Sequence, residues 1–134
     1  MSKSQVMLDN LRTLRLEQQE RTDRAADLLA MASRGMSARR ATDTGGTGEC
    51  PLSRYGPDYA AMKTVARIKR DQADAIWQRI RPHLQGVDYD AYGVMTLYYN
   101  HAMDWEDVRA QLKRSEAASQ RMHREMVQRL DRLL

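Results

Sequence analysis

Few side chains in this 134-residue sequence have the types and spacing that bond-making chemistry requires. The one cysteine, Cys50, stands in a Gly-rich stretch with no His or Asp nearby, and so reads as an incidental thiol. His83, His101 and His123 are far apart and show no metal-ligand spacing. No Gly-rich phosphate loop follows a strand, and neither a nucleophile elbow nor an HExxH pair occurs. These absences point away from an enzyme, and no cofactor or metal is expected. What remains is the chemistry of charge. Residues 88–108 carry Asp88, Asp90, Asp104, Glu106 and Asp107 with no Lys or Arg. Residues 109–134 carry seven basic side chains against Glu116, Glu125 and Asp131, a net +4. Phosphate contacts are built from such side chains, and each one neutralised adds to salt-dependent binding. The whole chain is also net +4, which permits a nucleic-acid partner without requiring one.

Composition limits the elements that must position these charges. Charged residues make up 30% and aromatics 6%, with no Phe. A chain rich in Arg, Leu, Ala, Gln and Met, with little β-branched or aromatic material, reads as all-α. No apolar run approaches the ~20 residues of a membrane span. The N-terminus lacks the apolar core of a secretion signal, and a lone cysteine fits a reducing compartment. A cytoplasmic protein with no membrane partner is expected.

Residues 4–34, within an N-terminal segment 1–36, read as one long helix. Met7, Leu11, Leu14, Ala25, Leu28 and Ala32 lie on one 3-4 repeat that also passes through Gln18 and Arg21. Gly35 is the expected stop. Residues 37–57, with their Gly-Gly pair and two prolines, read as a linker. A second helix runs from about Asp58 to Leu84, within a segment 58–87. Its stripe is Met62, Val65, Ala66, Ala73, Ile76, Trp77, Ile80 and Leu84, interrupted around Lys69 and Gln72. Pro82 marks a kink or the start of an exit turn. The two helices are expected to form a long antiparallel hairpin. Their polar centres either set its register or are simply solvated, and both readings stand. Trp77, Met7, Met31, Met36 and Met62 read as core, whereas Arg12, Arg15, Glu17 and Glu20 read as a solvated face.

Residues 88–134 divide into three helical pieces. In 88–100, Tyr89, Tyr92, Met95 and Tyr99 share a stripe. Asp104, with Asp107 three residues on, has a spacing like that of a capping box, and Trp105, Val108 and Leu112 give the next helix its buried side. Ser115 is a good N-cap for a last helix whose apolar face is Ala118 or Ser119, Met122, Met126, Val127, Leu130 and Leu133 or Leu134. A helix of about eight residues, a tight turn and a longer amphipathic helix have the geometry of a helix-turn-helix, whose second helix enters the DNA major groove.

The run LYYNHAMDWEDVRAQLKRSEAASQRMHREMVQRLDRLL, residues 97–134, resembles the C-terminal segment of phage transcription regulators of the ArpU/RinA type, which in turn look like region 4 of bacterial sigma factors. The resemblance rests on Leu97 and Tyr99, on Trp105, Glu106 and Val108, on Leu112 and Ser115, and on Arg121, His123, Arg124, Val127 and Leu130. It implies a transcription regulator of phage or prophage genes that binds double-stranded DNA. In the sigma-like pattern the first three turns of the last helix read bases, which here means Glu116, Ala117, Gln120, Arg121 and Arg124. Gln120 suits adenine, Arg121 guanine and Ala117 a thymine methyl, and Lys113, Arg114 and Ser115 stand where phosphate contacts are expected. Tyr98 stands where the family usually has Arg. A homodimer through the hairpin is expected. The alternative is a protein-interaction module that contacts RNA polymerase, a sigma factor or another phage protein without reading DNA.

Overall fold

Ser2 caps the first helix. Its hydroxyl accepts the backbone N–H of Gln5 at 3.1 Å, satisfying one of the donors that a first helical turn leaves open. A computed structural model describes residues 2–42 and 51–134, side chains of 35–42 and 51–54 excepted. Helix α1 runs Lys3–Thr42 and α2 Pro51–Ile80, followed by a 3₁₀ turn (Arg81–Leu84). Then come α3 (Tyr89–Met95), a π-helical turn (Thr96–Asn100), α4 (Trp105–Leu112) and α5 (Glu116–Leu133). The described residues are all-α, with no strand among them.

Two expected boundaries move. Gly35 does not stop α1, which continues through it to Thr42. One helical glycine costs only about 1 kcal/mol relative to alanine, and Met36, Ala38, Arg39, Arg40 and Ala41 beyond it favour helix. The linker expected over 37–57 shrinks accordingly, because 37–42 belong to α1 and 51–57 to α2. Its centre, with Gly45, Gly46 and Cys50, lies outside the described residues. Pro57 lies within α2, where its nitrogen has no hydrogen to donate. Pro82 behaves as expected of an exit: α2 ends at Ile80 and Pro82 sits in the first turn of the 3₁₀ segment.

The described residues fall into two compact units, Met1–Leu16 with Lys69–Leu134, and Glu17–Ile68. In the second, Ala25, Leu28, Ala32 and Ala66 are buried, as their repeat predicts. Met31, expected in the core, is exposed because it lies to one side of that stripe. The side chain of Met36 is outside the described set.

The first unit holds the larger core. Leu8 and Leu11 of α1, Ala73 and Ile80 of α2, Leu84, Ala91 and Met95 pack there with Tyr99, Met126 and Leu130, and Trp77 covers part of them. Of the stripe expected through Tyr89, Tyr92, Met95 and Tyr99, the last two are buried and Tyr92 packs on the core, but Tyr89 is 82% exposed, and Ala91 and Val94 are buried beside them. A continuous α-helix would have carried the Ala91–Met95 face on to Tyr98. The widened turn, in which the His101 N–H donates to the Thr96 carbonyl at 2.9 Å, brings Tyr99 inward instead. Gly93 lets α4 come close, because a Cβ there would lie 2.9 Å from Leu112 Cδ2. The end of α5 is tied down at both sides. Asp131 accepts the Ser4 backbone N–H at 3.1 Å, and Arg129 donates to the His83 carbonyl at 3.1 Å.

Candidate nucleic-acid interface

Helix α4 begins after Asp104, whose extended backbone (φ −69°, ψ 152°) is that of an N-cap. Its carboxylate does not cap, however. It lies 3.7 Å from Arg12 instead, so the Asp104–Asp107 spacing marks the helix start without closing a capping box. At the other end Lys113 adopts left-handed backbone (φ 54°, ψ 43°) and returns its N–H to the Arg109 carbonyl. The Arg114 N–H reaches the same carbonyl at 3.2 Å. Ser115 then resets the chain to extended geometry, and its hydroxyl accepts the Ala118 N–H at 3.2 Å. Three residues thus separate two helices, and the end of α4 and the start of α5 are each satisfied locally.

The amphipathic pattern of α5 sets which side faces out. Ser119, Met126 and Leu130 are buried, with Met122 and Val127 beside them. Leu133 is half exposed, and of the terminal pair Leu134 packs on the core. All eight sequence-predicted contact residues are exposed and contiguous: Lys113, Arg114 and Ser115 in the turn, and Glu116, Ala117, Gln120, Arg121 and Arg124 on the first three turns. They are not equally free. Arg114 Nε donates to Asp90 Oδ2 at 2.6 Å, fastening the turn to α3. Glu116 accepts from the Gln120 side-chain amide at 3.3 Å and lies 3.7 Å from Arg109, which the sequence reading had not singled out. No ion pair to Lys113, Arg121 or Arg124 occurs among the described residues. Arg121 borders a cleft of about 260 Å³ together with Asp88, Arg114 and Glu125.

Behind this surface lies a cluster that sequence reasoning missed. Tyr98 stacks on Trp105 with centroids 4.1 Å apart and planes at 21°. The Arg12 guanidinium sits 4.4 Å from the centre of the Tyr98 ring, so α1 supplies a cation to the face of this ring. Arg15 donates to Asn100 Oδ1 at 2.8 Å and to Asp74 Oδ1 at 2.7 Å. Arg12 and Arg15 were expected in solvent, yet their side chains are only 22% and 14% exposed. One signal was available: Leu8, Leu11, Arg12 and Arg15 follow i, i+3, i+4, i+7 spacing and so share one helix face.

Tyr99 and His123 complete the cluster. The Tyr99 hydroxyl hydrogen-bonds His123 Nε2, and the two rings stack at 5.6 Å. Burial, reinforced by the charge of Asp9, pushes the Tyr99 hydroxyl up to about 12 against the opposing hydrogen bond from Gln5. Burial also lowers the His123 imidazole below its ordinary value, with Arg124 adding to the effect and Asp9 opposing it. Among the described residues no group of three or more His, Cys, Asp or Glu could hold a metal ion. No described helix is long and apolar enough to cross a membrane. Comparison with family models, curated proteins and solved structures found no match to this chain.

Proposed function

We propose that this chain is a DNA-binding transcription regulator, with α4, the Lys113–Ser115 turn and α5 as its helix-turn-helix. One observation carries the reading. An eight-residue helix and an 18-residue helix are joined through a left-handed residue and a serine cap, and Ala117, Gln120, Arg121 and Arg124 face solvent together. Such a helix presents its first turns to the major groove, where Gln120 can pair with adenine and Arg121 with guanine. Lys113 is a free cation at the edge for a phosphate. In this reading α1 and α2 form an antiparallel hairpin through which two copies pair, placing two α5 helices about one DNA turn apart. The resemblance to ArpU/RinA-type regulators and sigma region 4 makes phage or prophage genes the proposed target.

A second reading draws on the ion pairs. Arg114 and Arg109 are held by Asp90 and Glu116, which leaves fewer free cations for phosphates. A protein partner such as RNA polymerase or a sigma factor would tolerate that better than DNA. Fluorescence anisotropy separates the two. A labelled duplex from upstream of the protein's own gene and an unrelated duplex are titrated at two salt concentrations. The DNA reading expects preference for the upstream duplex and steep weakening with salt. It also expects Arg121→Ala and Arg124→Ala each to cost about 1–3 kcal/mol of binding with the fold intact. Weak, equal binding to both duplexes, unchanged in the double variant, would move the assignment to a protein partner.

A further inference from the structure

A polar run within the first unit joins α1, the π turn and α5. The Gln5 side-chain amide donates to Asp9 Oδ1 at 2.8 Å and to the Tyr99 hydroxyl at 3.1 Å. The Tyr99 hydroxyl bonds onward to His123 Nε2. The inventory of hydrogens favours one direction for this run. Both amide hydrogens of Gln5 are committed, so the Tyr99 oxygen accepts from Gln5, and its single hydrogen finds an acceptor only when it goes to His123. In that arrangement His123 Nε2 holds a lone pair and the ring is neutral with its proton on Nδ1.

We propose that this run is a proton-operated latch, in which protonation of His123 at Nε2 reverses the last hydrogen bond and loosens α5 from α1 and the π turn. With Nε2 protonated, the Tyr99 oxygen would face two donors and its own hydrogen would have no acceptor. Tyr99 is 1% exposed, so water cannot take over that bond. The ring is held from several sides. Asp9 faces it from α1, Tyr98 and Tyr99 from the π turn, Trp105 edge-on at 5.4 Å from α4, and Arg124 from its own helix. The charge of Asp9 favours protonation, whereas burial and Arg124 oppose it, and burial is the largest influence. Solvent protons have a route, because His123 also lines a cleft of about 220 Å³ with Ser2, Arg124, Val127 and Asp131. The neutral ring is the one the fold favours. Its contribution is therefore full above the ordinary value of 6.5 and is lost as pH falls through the lowered value. The latch does not depend on what α5 binds.

Thermal unfolding of the full chain between about pH 7.5 and about pH 5, for the unaltered protein and His123→Gln, tests this. The unaltered protein is expected to lose roughly 4 °C or more that the variant does not lose. Nitrogen NMR of the His123 ring in the unaltered protein provides a second measurement, independent of whether the variant folds. It is expected to show the Nδ1–H form, a midpoint below 6.5, and α5 and α1 resonances that shift at that same midpoint. An Nε2–H ring, a midpoint at or above 6.5, or parallel acid losses in both proteins would overturn the latch.

Discussion

Lys113 and Ala102 are the non-glycine residues with left-handed backbone among those described, with φ of 54° and 53°. Each costs the chain about 1 kcal/mol that glycine would not incur. Lys113 is the more informative because it sits in the turn and carries a free cation. Lys113→Gly should stabilise the fold by about 0.5–1 kcal/mol, read as a higher urea midpoint at unchanged slope. If the turn lies against DNA, the same variant should also weaken binding and reduce its salt dependence by about one ion. A stability gain with no change in binding would remove Lys113 from the interface. Asp90 makes the converse test. Asp90→Asn frees Arg114, so duplex affinity should rise and the salt slope steepen by about one ion. Unchanged binding would mean that Arg114 braces the turn against α3 and never reaches a phosphate.

At the scale of the element, α4 and α5 depend on different supports. The eight-residue α4 is too short to persist alone, and its buried Val108 and its crossing at Gly93 hold it in place. A larger side chain at Gly93 must push Leu112 aside. Gly93→Leu is expected to cost about 1–3 kcal/mol by overpacking in denaturant titration. Helix α5 is 18 residues long and strongly two-faced, so its weak point is its start. Removing the Ser115 hydroxyl leaves the Ala118 N–H without its partner. Ser115→Ala should cost about 1 kcal/mol and fray the turns that carry Ala117 and Gln120. A silent Ser115→Ala would show that packing, not capping, sets where α5 begins.

The whole molecule is organised by contacts between distant parts of the chain. Leu8, near the start of α1, and Leu130, near the end of α5, are both fully buried in the core of the first unit. Leu8→Ala and Leu130→Ala should each cost about 2–5 kcal/mol, and both should lower the same cooperative transition of that unit. If Leu8→Ala left α5 as protected from hydrogen exchange as before, the two ends would not share one folding unit.

Local chemistry is what the sequence by itself determined. The all-α class, the buried stripe of α5, the turn at residues 113–115 and the Ser115 cap rest on propensity, helical period and a hydroxyl three residues from its partner. The exposure of Glu116, Ala117, Gln120, Arg121 and Arg124 follows from that same period, since the buried positions of an amphipathic helix dictate its outer face. Distant partners decided the remainder. Tyr89 falls outside the buried stripe that Met95 and Tyr99 keep. Arg12 and Arg15 leave solvent for Tyr98, Asn100 and Asp74. Arg114 pairs with Asp90, 24 residues away. Composition shows which charges a chain carries, but a charge becomes free or committed only when folding brings its partner within a few ångströms.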